Sequence, residues 1–167
     1  MRIRRTEPGK TNLYYKRQAD GGYNPSIKGS PQDPYRTALP NCVGYAVGRY
    51  DEWGAAGECS SLPPCAACAM MKYTKGRLKQ GKTPKLGACM CWEGGSDGYG
   101  HVAIVEQIID KNTLIVSESV YGGQLFRYRK IKKSENWGLP SSYKLQGFVY
   151  NRWVSMKCVL QMRKLLA

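Results

Sequence analysis

Hydrophobic residues along this chain recur with two different periods, and the change falls near residue 86. Residues 1–40 carry little periodicity. They hold the turn signals Gly21-Gly22-Tyr23-Asn24-Pro25 and Gly29-Ser30-Pro31-Gln32-Asp33-Pro34. Residues 1–35 therefore read as an irregular lead-in wrapped on the domain. Past Pro40, Val43, Ala46, Val47 and Tyr50 follow the i, i+3, i+4, i+7 spacing of a helix with one buried stripe. Asn41 is a good N-cap, because its side-chain oxygen can accept from a first-turn amide. Gly54 is a plausible stop. Cys42 falls in the first turn, beside the stripe and not inside it. A second helical piece is predicted over about 64–73, with Cys65, Cys68, Ala69, Met70 and Met71 partly inward, followed by a Lys-rich loop over 76–81.

From residue 86 the pattern alternates. Segments 86–92, 99–109, 113–118, 124–131 and 144–151 read as strands. Turns are expected at 93–98, 110–112 and 122–123. Helices first and an antiparallel meander afterwards make the fold class α+β, with N-terminal helices packed on a sheet of about five to six strands. Residues 152–167 read as a basic C-terminal tail or short helix, which leaves 36–151 as the domain. No internal repeat appears.

At 167 residues the chain can bury a core as one domain. No run of about 18 apolar residues exists, so membrane insertion is not expected. The N-terminal residues Met1 to Pro8 are basic and lack an apolar core, so no secretory signal is expected. The protein would then be made in a cytoplasm and act elsewhere only after release. With 26 Lys and Arg against 12 acids, the formal charge is +14. Such a surface favours polyanions, either nucleic acid or the anionic polymers of a bacterial wall. Seven cysteines, at 42, 59, 65, 68, 89, 91 and 158, leave at least one unpaired.

His101 is the sole histidine, so imidazole chemistry near neutral pH has one candidate. Cys42 at a helix start would gain from the unpaired amides and the dipole there, which favour a thiolate and can hold an oxyanion. His101 opens one strand and Glu118 ends the next. A four-residue loop at 108–111 would set them directly opposite. A two-residue turn at 111–112 would separate them by four residues along the strand. Both registers keep the two residues on one face; only the first would let the carboxylate orient the ring.

The segments Asn41 to Ala46, Gly98 to Glu106 and Leu114 to Ser119, with Gly87-Ala88, Trp92 and Leu145 to Tyr150 in support, resemble a CHAP domain. This is the cysteine, histidine-dependent amidohydrolase/peptidase family of phage endolysins and bacterial wall hydrolases. The resemblance implies a papain-like fold and cleavage of an amide in peptidoglycan, either as N-acetylmuramoyl-L-alanine amidase or as peptide endopeptidase. It implies Cys42 as nucleophile, His101 as base and Glu118 as third member. Asn41, Tyr45 and Trp92 become candidates for oxyanion or substrate contacts, and Tyr99, Tyr121 and Trp137 for further stacking walls. Many members carry Asn two residues after the Glu, where this chain has Val120. Some phage members hold calcium in an acid-rich loop. Asp33 is the sole acid in 29–41, so no metal or other cofactor is expected. The expected partners are peptidoglycan and anionic wall polymers, without nucleic acid, and the protein is expected to be a monomer.

Two rivals stand beside this reading. Cys65-x-x-Cys68 with Cys89-x-Cys91 resembles a four-thiolate zinc spacing, which would suit a basic nucleic-acid-binding module. The same fold could also serve as an amidase on a soluble substrate.

Overall fold

The computed structural model describes residues 3–9, 12, 14–15, 39–54, 62–63 and 65–151. The expected C-terminal tail over 152–167 and most of the lead-in lie outside them. Helix α1 spans Cys42–Gly54, and a 3-10 turn over Ala67–Ala69 runs into the short helix α2, Met70–Thr74. Six strands follow: β1 Gln80–Gly81, β2 Cys89–Gly94, β3 His101–Asp110, β4 Thr113–Glu118, β5 Arg127–Lys132 and β6 Tyr143–Val149. The sheet is antiparallel in the order β1-β6-β2-β3-β4-β5. The α+β expectation holds.

The sheet departs from a simple meander. Strands β2 to β5 are sequential neighbours, but β6 returns past them to pair with the free edge of β2, and β1 pairs with β6. β1 lies in the segment read from sequence as a loop. Two residues are too few to show alternation, so it carried no periodic signal. The second helical piece is also shorter than expected, because Ala66 at its start has extended backbone.

Alternation divides the sheet into two buried faces. Cys89, Cys91, Val102, Ile104 and Val149 share a core with Val43, Ala46, Val47 and Tyr50 of α1. Met90, Trp92, Ala103, Val105, Leu114, Val116, Ile131 and Phe148 form a second core with Trp137. Burying one side chain such as Val47 or Ile104 is worth about 1.5–3 kcal/mol. The apolar stripe understated α1, whose residues from Cys42 through Tyr50 are all buried. Part of the lead-in covers its outer side: Tyr15 packs on Tyr45, and Tyr45 in turn packs on Phe126.

A buried ion pair locks α1 to β3. Arg49 donates to Glu106 through Nε at 2.6 Å and Nη2 at 2.7 Å. Ser117 Oγ donates to the same carboxylate at 2.7 Å. Glu106 sits at a bulge in β3, between the pairs Val105–Val116 and Gln107–Ile115. A second bulge lies between Ile108 and Asp110. Each inserts one residue into β3 relative to β4, and both change what the hairpin brings together.

Candidate active site

The start of α1 is fixed at both ends of its cap. Asn41 Oδ1 accepts from the Gly44 amide at 2.9 Å, and Asn41 O accepts the first helical bond from Tyr45 N at 2.9 Å. The Asn41 amide donates to Ser119 Oγ at 3.1 Å. Ser119 directly follows Glu118, so the helix start is tied to the strand end that carries the acid. Cys42 is the first helical residue, 9% exposed. The cap takes the Gly44 amide and leaves those of Cys42 and Val43 uncommitted by it. Asn41 therefore acts as the cap through its side-chain oxygen.

The backbone just before His101 is unusually close to its neighbours. Gly100 has φ +73°, and a Cβ there would lie 2.3 Å from Trp92 O and 2.8 Å from Cys68 N. Only glycine fits this approach. His101 itself is buried, directly across the β2–β3 ladder from Trp92, with ring centroids 5.9 Å apart.

The β3–β4 hairpin uses the two-residue turn, with Asp110 facing Thr113. That turn alone would leave His101 and Glu118 four residues apart. The two bulges halve the offset, because the ladder at the far end pairs Ile104 with Ser117 and so places Glu118 opposite Ala103. His101 is then a diagonal neighbour on the same face, within reach of a long side chain. His101 Nε2 and Glu118 Oε2 are 2.6 Å apart. The expectation that only the directly opposite register permits this bond is thereby corrected.

Nε2 is engaged by Glu118, and Cys42 is near enough to the ring to favour its charged form. Burial opposes charge on His101. The interactions with Cys42 and Glu118 outweigh it and raise the imidazole to about 9 from an ordinary 6.5. Burial likewise disfavours the Glu118 carboxylate, yet His101 and Arg129 hold it down at about 2. At neutral pH the structure therefore favours an imidazolium beside an ionised carboxylate.

Glu118 has two further partners that the sequence reading missed. Arg127 Nη2 lies 2.8 Å and Arg129 Nε 2.5 Å from Oε1. Arg127 sits directly opposite Glu118 in the β4–β5 ladder. Two cations spaced two apart in β5 were the available signal, but it became readable only with that register. Ser119, which ties down the cap, had no signal beyond adjacency to Glu118.

Tyr45 and Trp92 do not line a cleft. Both are fully buried, Tyr45 between Tyr15 and Phe126 and Trp92 beneath His101. Burial also raises the Tyr45 phenol above its ordinary value. An alternating strand position and a capped helix both give the period of a core residue as readily as that of a wall. Trp137 is buried too, whereas Tyr99 and Tyr121 are 65% and 59% exposed and lie close in sequence to His101 and Glu118.

The five described cysteines are free. Cys89 and Cys91 face one way from β2 with sulfurs 3.8 Å apart, in the core against α1. Burial pushes both the Cys65 thiol, to about 11, and the Cys89 thiol upward. Among the described residues no three His, Cys, Asp or Glu side chains converge as metal ligands. Cys59, Cys158 and Asp33 lie outside them. No helix among the described residues is long and apolar enough to cross a membrane.

The chain is similar to an N-acetylmuramoyl-L-alanine amidase from Staphylococcus aureus of known crystal structure, at 25% identity and a TM-score of 0.47. That likeness covers 65% of this chain and 30% of the amidase, so the chain spans less than a third of it. At that score the likeness carries no weight of its own. The family model described as CHAP domain matches residues 32–119, over half the chain, and takes in Cys42, His101 and Glu118. The chain belongs to the CHAP domain family.

Proposed function

We propose that this protein is a thiol hydrolase that cleaves an amide bond of bacterial peptidoglycan, as N-acetylmuramoyl-L-alanine amidase or as peptide endopeptidase, in the manner of an endolysin. The observation that carries this reading is one buried imidazole bonded to Glu118 at 2.6 Å, with Cys42 beside it at the start of α1. Membership of the CHAP family supports it.

Cys42 is the nucleophile, His101 the acid–base group and Glu118 the residue that orients and charges the ring. The Cys42 sulfur, its proton held by His101, attacks the scissile carbonyl and forms the C–S bond. The amides of Cys42 and Val43 at the helix start are placed to receive the resulting oxyanion. The imidazolium then protonates the leaving nitrogen, the C–N bond breaks and a thioester remains. Water gives one proton to the neutral imidazole and adds its hydroxide to the thioester carbonyl. Collapse releases the carboxylate product and returns sulfur and ring to their starting states. Glu118 stays ionised throughout, since its value near 2 lies far below working pH. Exposed Tyr99 and Tyr121 can stack on sugar or peptide. The charge of +14 favours adhesion to anionic wall polymers. Action at the wall follows release from the cytoplasm in which the protein is made.

The test is clearance of a purified wall suspension by wild type and Cys42→Ser, with mass spectrometry of the released fragments. Clearance by wild type alone, with new amine and carboxyl ends, is expected. Equal clearance by both proteins overturns the nucleophile. New reducing sugar ends on intact peptides overturn amide cleavage.

A further inference from the structure

Glu118 is a fully buried carboxylate shared by three cationic groups, and only one of them has a part in the chemistry above. The arginine at the shortest distance is itself held from behind. Arg129 Nη1 donates to Gly138 O at 2.7 Å. The carbonyl is offered by a turn with three successive left-handed residues: Asn136 at φ 48°, Trp137 at φ 55° and Gly138 at φ 73°. For asparagine and tryptophan such backbone costs free energy and persists only where the surroundings dictate it. Here they do. Asn136 Nδ2 donates to the carbonyls of Leu139, Pro140 and Tyr143, and Trp137 is buried in the second core. Gly138 allows the close approach, since a Cβ there would meet Arg129 Nη1 at 2.5 Å and Ile131 Cγ2 at 3.0 Å.

A strained turn thus aims a carbonyl at a guanidinium, which fixes one oxygen of the carboxylate whose other oxygen orients His101. We propose that Arg129, clamped by the Gly138 carbonyl, is a positioning residue that sets the orientation and charge of Glu118, with the half-buried Arg127 as the carboxylate's second cationic contact. Arg129 touches no reacting atom. It acts through Glu118 in two ways. The bidentate geometry, one nitrogen on the carboxylate and one on the turn, removes the carboxylate's freedom to rotate away from the ring. Its positive charge also offsets part of the negative charge that favours the imidazolium. Arg127 contributes less to orientation, because it is 32% exposed in its side chain and has no described anchor of this kind behind it.

This inference rests on the wall-hydrolase reading for its activity arm and on the sole imidazole for its other arm. Histidine labelled with 15N gives one imidazole titration with nothing to assign. In Arg129→Met the carboxylate loses a neutralising cation, so the His101 midpoint rises by about 1 unit. The kcat for wall hydrolysis falls roughly 100-fold through misorientation, with KM little changed. Arg129→Lys keeps the charge without the second anchor, so it restores the midpoint and only part of kcat. Gly138→Ala keeps both charges and displaces the guanidinium, so kcat falls at an unchanged midpoint. A merely structural arginine would lower the folded fraction and leave kcat per folded molecule unchanged in both Arg129→Met and Gly138→Ala. Wild-type midpoint and kcat in folded Arg129→Met overturn the proposal. If that variant does not fold, undiminished kcat in Gly138→Ala overturns it. If wild type itself leaves walls intact, the hydrolase reading falls, and an unchanged midpoint in Arg129→Met still overturns the claim that Arg129 sets the charge around Glu118.

Discussion

Replacing Glu118 by glutamine removes the charge that pairs with the imidazolium while keeping an acceptor of nearly the same shape. The imidazole stands at about 9 against an ordinary 6.5, so the folded site prefers the protonated ring by about 3 kcal/mol, at about 1.4 kcal/mol per pH unit. Burial pulls the other way, so Cys42 and Glu118 together supply more than this net figure. An opposite charge in contact contributes roughly 1–3 units. The variant should therefore titrate at roughly 6–8. The uncompensated cations of Arg127 and Arg129 push it toward the lower end. The assay is the 15N titration of the single imidazole, read beside the pH profile of wall clearance. In wild type the alkaline limb of activity should fall as the ring loses its proton near 9. In Glu118→Gln it should move down with the NMR midpoint, and clearance at pH 8 should drop more than clearance at pH 6. A wild-type midpoint near 6.5, or the same midpoint in both proteins, refutes the assigned electrostatics.

Arg49→Met strands the buried Glu106 carboxylate, so unfolding in urea should show a loss of roughly 3–5 kcal/mol. Asn41→Ala removes the cap from the helix that carries the nucleophile and should cost roughly 1–2 kcal/mol, with Asn41→Ser recovering most of it. Stability should also depend on pH through His101. Its folded value lies above its unfolded one, so this stabilisation is complete below about 6.5 and is lost as pH rises through about 9. The melting temperature should fall over that window in wild type, and His101→Gln should remove this part of the fall.

The α+β class and five of the six strands were legible because each rests on a local period. The capped helix at Cys42 likewise needed only Asn41, a stripe and a stop. Candidates for the chemistry were legible because residue types limit it: one histidine leaves no choice of imidazole. The family resemblance drew on the same local segments around Cys42 and His101. Geometry was less accessible. The contact between His101 and Glu118 depends on two bulges, one at Glu106 and one before Asp110, and neither has a signature in alternation. Tyr45 and Trp92 look alike as core and as wall until their neighbours are known.

What the amino-acid order determined by itself was therefore the inventory and the local conformations, since caps, turns and periods act over a few residues. What tertiary structure alone decided was the register and the company each charge keeps. The Arg49–Glu106 lock, the Asn41–Ser119 tie and the convergence of Arg127, Arg129 and His101 on one carboxylate join segments distant in sequence. The physical reason is that a buried charge is stable only where other parts of the chain bring its partners, and those partners are chosen by packing, which no local period records.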